Sequence, residues 1–265
     1  MIRNKMAILI ADSYESPYLE LRHEIHPTIW NAEIWSNFDI YYMKGKKTGK
    51  IRKTLNTINE LMRNSRFGIF VRINDGIWLN FVKRREPSLV LKDRDLFIDV
   101  PEGLRNLGYK FKTSLNYLYS KEYEIVIKTT SSSLFQKSIL EEFITEKNSM
   151  EDYLYAGAII NPGEYQFASG ANLILNSKTI QLILSGKYRW DHSVLDDVAI
   201  GKIMKKAGVK VTEFRTLNIK NMEHLENLNE TMLNDVGHYR CRNFESPRKD
   251  SIILMNLAKK MGLIR

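Results

Sequence analysis

Two adjacent carboxylates, Asp196 and Asp197, open the stretch LDDVAIGKIM (195–204). At a helix start a carboxylate is favoured by the positive end of the peptide dipoles, so the pair could serve only as a cap. One of them could instead project into a cleft as a general base, which needs a proton donor within hydrogen-bond reach. A second set is the hydroxyl run Thr129, Thr130, Ser131, Ser132 and Ser133 in YEIVIKTTSSSLFQKSILEEF (123–143). At an elbow between strand and helix such a run can bind a phosphate or a ribose; Ser132 or Ser133 can equally well cap the helix that follows. A third is FASGANLILNS (167–177), where a glycine between two strand-like pieces permits a bulge or a close backbone approach to a ligand. The fourth is GHYRCRN (237–243). Its His238 is either a metal ligand or a satisfied surface histidine. Arg240 and Arg242, two apart on an extended segment, aim to one side, and guanidinium groups suit the planar bidentate contacts of phosphate oxygens.

The elements that must position these groups are read from apolar periodicity. KMAILIA (5–11), bounded by Asp12, Ser13 and Ser16, fits a central strand, and FDIYYMKG (38–45) a second one closed by a glycine. YLELRHEIHPTIW (18–30) fits a helix up to His26, ended by Pro27. LNTINELMRN (55–64) places Leu55, Ile58, Leu61 and Met62 on one helical face. LVLKDRDLFIDVP (89–101) has strand character with charged interruptions, as in edge strands, and 103–122 reads as a helix feeding a strand from Tyr123 to Lys128. After the elbow a helix carries Leu134, Phe135, Ile139, Leu140 and Phe143 inward; a strand follows at 153–161. Residues 165–188 give strand, glycine break, strand, then a helix starting near Asn176 or Ser177. The helix begun at Asp196 and Asp197 turns Val198, Ile200, Ile203 and Met204 inward and ends at Gly208, before a strand at 209–215 and a last amphipathic helix at 250–265. Strands alternating with helices predict an α/β/α sandwich with a mainly parallel sheet, a single domain over 1–265 with two functional halves.

The totals bound the partners. The 265 residues are 43% hydrophobic and 27% charged, which fits a globular protein, and no run approaches the length of a membrane span. Met6 to Ile10 is too short for a signal-peptide core. The lone cysteine, Cys241, excludes an internal disulfide framework and suits a reducing compartment, so the sequon at Asn229 is expected to carry no glycan. The net charge of +9 is scattered, with its densest clusters at 44–53, 83–85 and 238–243. It implies a solvated basic surface, or attraction to an anionic small molecule or membrane face; no helix-turn-helix, zinc or RNP-like motif points to nucleic acid.

Taken in order, these pieces resemble the galactosyltransferase and fringe-like branch of inverting glycosyltransferases, which have the GT-A fold. The branch has an arginine-bearing helix leading to Thr-Trp, loosely matched by LRHEIHPTIW (21–30), and Asn-Leu-x-x-Lys-Thr, matched with two extra residues by NLGYKFKT (106–113). Its metal motif reads like Lys-Thr-Asp-Asp-Asp; IKTTSSSLF (127–135) keeps Lys128 and Thr129 and lacks every aspartate, as in non-metazoan members with Arg-Thr-Asn-x-Ser-Ser. A Ser-Gly strand and an acidic-Asp-Val helix start follow, matched by 165–177 and 195–204. The likeness covers most of 105–205 and is vague before 105.

The resemblance implies a nucleotide-sugar half (about 1–133) and an acceptor half (about 134–265). It makes Asp197 the catalytic base and Asp196 a supporting carboxylate. It makes the elbow (Thr129, Thr130, Ser131, Ser132) the donor diphosphate site, and Ser169 and Gly170 the floor of the acceptor and sugar pocket. Without the aspartates, Mn²⁺ or Mg²⁺ would be weakly required or absent. Cations among Lys112, Lys128, Arg240 and Arg242 would then share its role, or a metal would be held by the diphosphate and His238. The expected partners are a nucleotide-sugar, UDP-sugars first, and a glycan or polysaccharide acceptor. The expected place is the cytoplasm, with the basic surface against the inner membrane face. An inactive GT-A domain that binds nucleotide-sugar or glycan, and a basic nucleic-acid binder, stand as alternatives.

Overall fold

Along β1 (Met6–Ala11) the side chains alternate between two faces, and both are covered: Ile8 and Ile10 enter one apolar core, Ala7 and Leu9 the other. A strand buried on both sides reads as an unbroken apolar run, which is what KMAILIA is. The structure, a computed structural model, describes residues 5–31, 33–47, 87–103, 106–245 and 248–264. The sequence-predicted helix at 55–64 lies outside the described residues.

Residues 18–29 form one helical segment, α1, whose α-helical ends (Tyr18–Glu20 and His26–Ile29) enclose a π-helical stretch, Leu21–Ile25. It passes through Pro27, where the sequence predicted an end. Pro27 sits in the first turn of the last piece, a place that tolerates a missing N–H. The chain continues through β2 (Phe38–Lys46), a hairpin of β3 (Leu89–Lys92) and β4 (Asp95–Pro101), α2 (Leu107–Ser120) and β5 (Ile125–Thr130). Then come β6 (Ser133–Phe135), α3 (Lys137–Met150), β7 (Tyr155–Ile160), β8 (Phe167–Asn176), α4 (Ser177–Leu184) and α5 (Asp196–Ala207). Short elements follow: β9 (Thr212–Glu213), β10 (Thr216–Ile219), α6 (Met222–Glu226), α7 (Glu230–Asn234) and β11 (His238–Cys241), before α8 (Asp250–Lys260).

Among the described residues the main sheet has the order β3-β4-β2-β1-β5-β8-β7-β9, and β10-β11-β6 make a second, small sheet. The main sheet is mixed. β4, β2, β1 and β5 run parallel to their neighbours in that series, as do β7 and β9. β3 on β4, and β8 between β5 and β7, run antiparallel. The α/β class therefore holds, with the parallel part at the centre. One core packs α1, α8 and the small sheet against one face; the other packs α2, α4 and α5 against the opposite face.

Two local outcomes bear on the site. The elbow does not lead straight into a helix: Ser133, Leu134 and Phe135 pair antiparallel with Arg240, Tyr239 and His238, and α3 starts only after Gln136, which makes no side-chain cap. The cap at Ser132 or Ser133 is thus replaced by a strand. The expected glycine break at 170 is a bulge in one continuous β8. Gly157 stands opposite Leu173 and Ile159 opposite Ala168, so extra β8 residues bow out between them. At α4 the cap is Asn176, whose side chain accepts from the Thr179 N–H.

Candidate functional site

From β1 the chain builds outward through β2 and β4, then returns to place β5 on the other side of β1. The carboxyl ends of β1 and β5 therefore flank a topological switch point, where open α/β sheets hold their ligands. The hydroxyl run ends β5 at this point. The Thr129 side chain is fully buried and donates to the Ala171 carbonyl at 2.9 Å; the buried Ser131 donates to the Ala11 carbonyl at 3.0 Å. Ser132 is buried as well, and its carbonyl accepts the Cys241 N–H. Only Thr130, half-buried and 2.8 Å from the Ser133 hydroxyl, remains accessible within the expected donor set of Thr129, Thr130, Ser131 and Ser132. Most of these small hydroxyls seal the junction of the two sheets instead of facing a ligand.

The two aspartates have separate environments. Asp196 is 1% exposed and pairs with Lys128 at 2.6 Å, while the same ammonium donates to the Gly170 carbonyl at 2.8 Å. Lys128 is buried too, so it is not a cation open to a diphosphate, and the sequence expectation for it is corrected. A buried pair of this kind is costly to break because either partner alone would be an unpaired buried charge. Asp197 is half-buried at the rim. Its Oδ2 accepts the Gly170 N–H at 2.9 Å and its Oδ1 the Val198 N–H at 2.8 Å. Gly170 leaves room for this arrangement: a Cβ there would lie 2.9 Å from Lys128 Nζ and 3.2 Å from Asp197 Oδ2, so both side-chain ends would have to shift. Ser169, half-buried beside it, shares the bulge.

His238 is neither a surface histidine nor a ligand open to the crevice. The ring is fully buried, with Nδ1 3.0 Å from the Thr216 hydroxyl and Nε2 3.3 Å from that of Thr129. Burial drives its pKa down to about 3, and the charge of Arg240 adds to the shift. Arg240 is half-buried, directly across from Ser133 in the small sheet, so its side chain rises on the elbow's side. Burial lowers its pKa first, then the neighbouring Arg242. Arg242 itself is exposed and lies over the Phe244 ring, 5.2 Å from its centroid. Lys112 is half-buried on α2, next to Phe111, whose ring faces Lys128 at 5.2 Å.

Sequence reasoning missed a charged cluster on the β2 side of the switch point. Asp12, one residue beyond β1, lies 3.2 Å from Lys44 Nζ; Lys44 also reaches Asp95 at 3.1 Å, and Arg22 reaches Asp95 at 2.9 Å. Arg22 stacks on the Tyr42 ring at 3.2 Å. Burial pushes the Asp12 carboxyl above its ordinary value, with Lys44 pulling it partly back. The signal was present: a lysine inside the apolar run of β2 needs a carboxylate, and an aspartate closes the neighbouring strand.

The donor set does not fit a divalent ion. The elbow itself offers no carboxylate, its Thr129 and Ser131 hydroxyls donate to carbonyls, and both His238 nitrogens face threonines. Among the described residues no three His, Cys, Asp or Glu side chains group so as to hold a metal, and no helix is long and apolar enough to cross a membrane.

No protein-family model and no curated protein sequence matches the chain. Solved structures do. The chain is similar to a glycosyltransferase involved in the glycosylation of the major capsid of PBCV-1, at 9% identity over 95% of this chain and 99% of that one, with a TM-score of 0.48. It is similar to the inositol-1-phosphate CTP transferase from T. maritima at 14% identity over 97% of each chain, TM-score 0.43. A UDP-glucose pyrophosphorylase matches at 9% identity over 79% of this chain and 89% of that one, TM-score 0.37.

Proposed function

We propose that this chain is a GT-A-like glycosyltransferase. It moves a sugar from a nucleotide-sugar, a UDP-sugar first among candidates, to a hydroxyl of a glycan or polysaccharide, with inversion at the anomeric carbon. The observation that carries the reading is the division of labour between the paired aspartates. Asp196 is buried on Lys128, whereas Asp197 stands half-exposed at the switch-point crevice, its plane fixed by two backbone N–H groups. A carboxylate held in this way keeps lone pairs free for an incoming proton.

In the reaction the acceptor oxygen bonds to the anomeric carbon as its proton passes to Asp197. The bond from that carbon to the diphosphate oxygen breaks, and its electron pair leaves with the diphosphate. Stabilising that developing charge is the largest demand on the site. Arg240, opposite Ser133, and the Thr130 hydroxyl supply a charge-assisted donor and a neutral one at the elbow, and Lys112 is the further cation of the set.

A thermal-shift and turnover screen against a panel of nucleotide-sugars identifies the donor, because a ligand bound only to the native state raises apparent stability. With that donor, Asp197→Asn is expected to lower turnover by about 10²–10⁴-fold and leave donor affinity nearly unchanged. Turnover within twofold of the native chain (about 0.4 kcal/mol) would sink the assignment. The elbow's lack of any aspartate favours a second reading: a domain that binds nucleotide-sugar without turning it over. Its signature is donor binding by the native chain with no product.

A further inference from the structure

We propose that His238 is a positioning residue: as a neutral imidazole carrying its proton on Nε2, it closes a ring of hydrogen bonds that fixes the bulge of β8 against the end of β5. The directions follow from the partners. The Thr129 hydroxyl gives its hydrogen to the Ala171 carbonyl at 2.9 Å, so toward His238 Nε2, 3.3 Å away, it can only accept. Asn172 Nδ2 donates to the Thr216 oxygen at 2.7 Å, which leaves the Thr216 hydrogen for His238 Nδ1 at 3.0 Å. Donors thus point one way, from Asn172 through Thr216, His238 and Thr129 to Ala171, and the path begins and ends on adjacent residues of β8.

The ring links both sheets, since Thr216 and His238 belong to β10 and β11, Thr129 to β5, and Ala171 and Asn172 to β8. A proton on Nδ1 would remove the acceptor for the Thr216 hydrogen beside a fully buried ring. Phe135, with its centroid 4.6 Å from that of His238, closes the ring from the side of the small sheet. Ala171 follows Gly170, whose N–H holds the Asp197 carboxylate. Fixing 171 and 172 therefore fixes the group that aims Asp197. The consequence for turnover rests on the reading of Asp197 proposed above; the geometry of the ring does not.

The test has two readouts that need no activity. Long-range ¹H–¹⁵N correlation on the native chain at neutral pH should show His238 as a single Nε2–H tautomer; an Nδ1–H or doubly protonated ring would overturn the proposal. Thr216→Val keeps shape and removes the hydroxyl. It is expected to speed hydrogen exchange at the Gly170 amide by about fivefold, the net value of one hydrogen bond, while amides of β1 exchange as in the native chain. Thr216→Ser should restore the native rate. Unchanged exchange at Gly170, or equal acceleration in β1, would overturn the positioning role. If the native chain turns over no nucleotide-sugar, the reading of Asp197 as a base falls, and the Gly170 exchange rate still decides this one.

Discussion

The two sides of the crevice are built from different materials. Toward β2, polar contacts run between full charges, and each has more than one partner: Lys44 meets Asp12 and Asp95, and Arg22 lies 3.9 Å from Asp12 as well as against Asp95. Toward β8, contacts run through hydroxyls, one imidazole and backbone groups, with the Asp196–Lys128 pair as the charged contact anchoring the bulge. Charges act over several ångströms and can trade partners, so the β2 side tolerates small shifts. Neutral hydrogen bonds are short-ranged and directional, and they depend on where the backbone lies. The side proposed to do chemistry is thus the one held by shape.

The sharpest way to break that contrast is to move the backbone behind the bulge. Gly157 has φ 156°, and a Cβ on it would lie 1.9 Å from the carbonyl oxygen of Asn172. That neighbour is backbone and cannot swing away. Gly157→Ala is expected to destabilise the fold by about 3 kcal/mol or more, combining strain at a glycine-favoured φ with overpacking. Urea unfolding measures it. A loss below about 1 kcal/mol would mean that β8 yields easily and that the β8 side is not held by shape.

The contrast also explains what the sequence could and could not reveal. β1, β5, β8 and α5 were legible because their signals are local: doubly buried strands appear as apolar runs, and α5 carries aspartates at one end and a left-handed glycine, Gly208, at the other. Asp197 was legible as a candidate for the same reason. β6 was not. Three residues, SLF, become a strand only because residues 238–240, far along the chain, pair with them. His238 misled for the same cause: HYRC shows alternation that buries Tyr239 and Cys241, but nothing local tells that the other face, at 238, is covered by β5 and β10. Pro27 was read as an end because the sequence carries no sign of a π-helical turn just before it. The hydroxyl elbow looked like a ligand site because serine and threonine suit phosphates and buried carbonyls equally well.

Acid acts on the buried imidazoles and on Asp12 with opposite sign. His238 and His26 have folded pKa values of about 3 and about 4, below the ordinary 6.5, because burial opposes their charged forms. His26 nevertheless donates from Nε2 to the Ser131 carbonyl at 2.7 Å. Between 6.5 and those values the unfolded chain binds protons that the folded chain refuses, so stability is present above 6.5 and is lost as pH falls, by about 1.4 kcal/mol per pH unit for each ring. Asp12 has the opposite sign: its folded pKa is raised, so its contribution is complete below the ordinary 3.8 and is lost as pH rises through the folded value. Unfolding midpoints should therefore fall between neutral pH and about pH 5, and less steeply in His238→Gln. A midpoint that does not move over that range would mean that these imidazoles are not buried as neutral rings.

The smallest expected effect concerns metal, and it is the most informative about the β8 side. If Arg240 and Thr130 meet the diphosphate without carboxylates, donor affinity measured by calorimetry should stay within about twofold between excess chelator and added Mn²⁺, a difference under 0.5 kcal/mol. A null result needs proof that the assay can register a lost phosphate contact. Arg240→Gln provides it, because removing one charge-assisted donor is expected to weaken donor binding by about tenfold. Should chelation abolish binding while Arg240→Gln leaves it intact, the diphosphate must be met by an ion held elsewhere. Beyond Asp197 and the buried Asp196, the carboxylates at the switch point are Asp12 and Asp95 of the charged side, and the roles assigned to the two sides would then have to be exchanged.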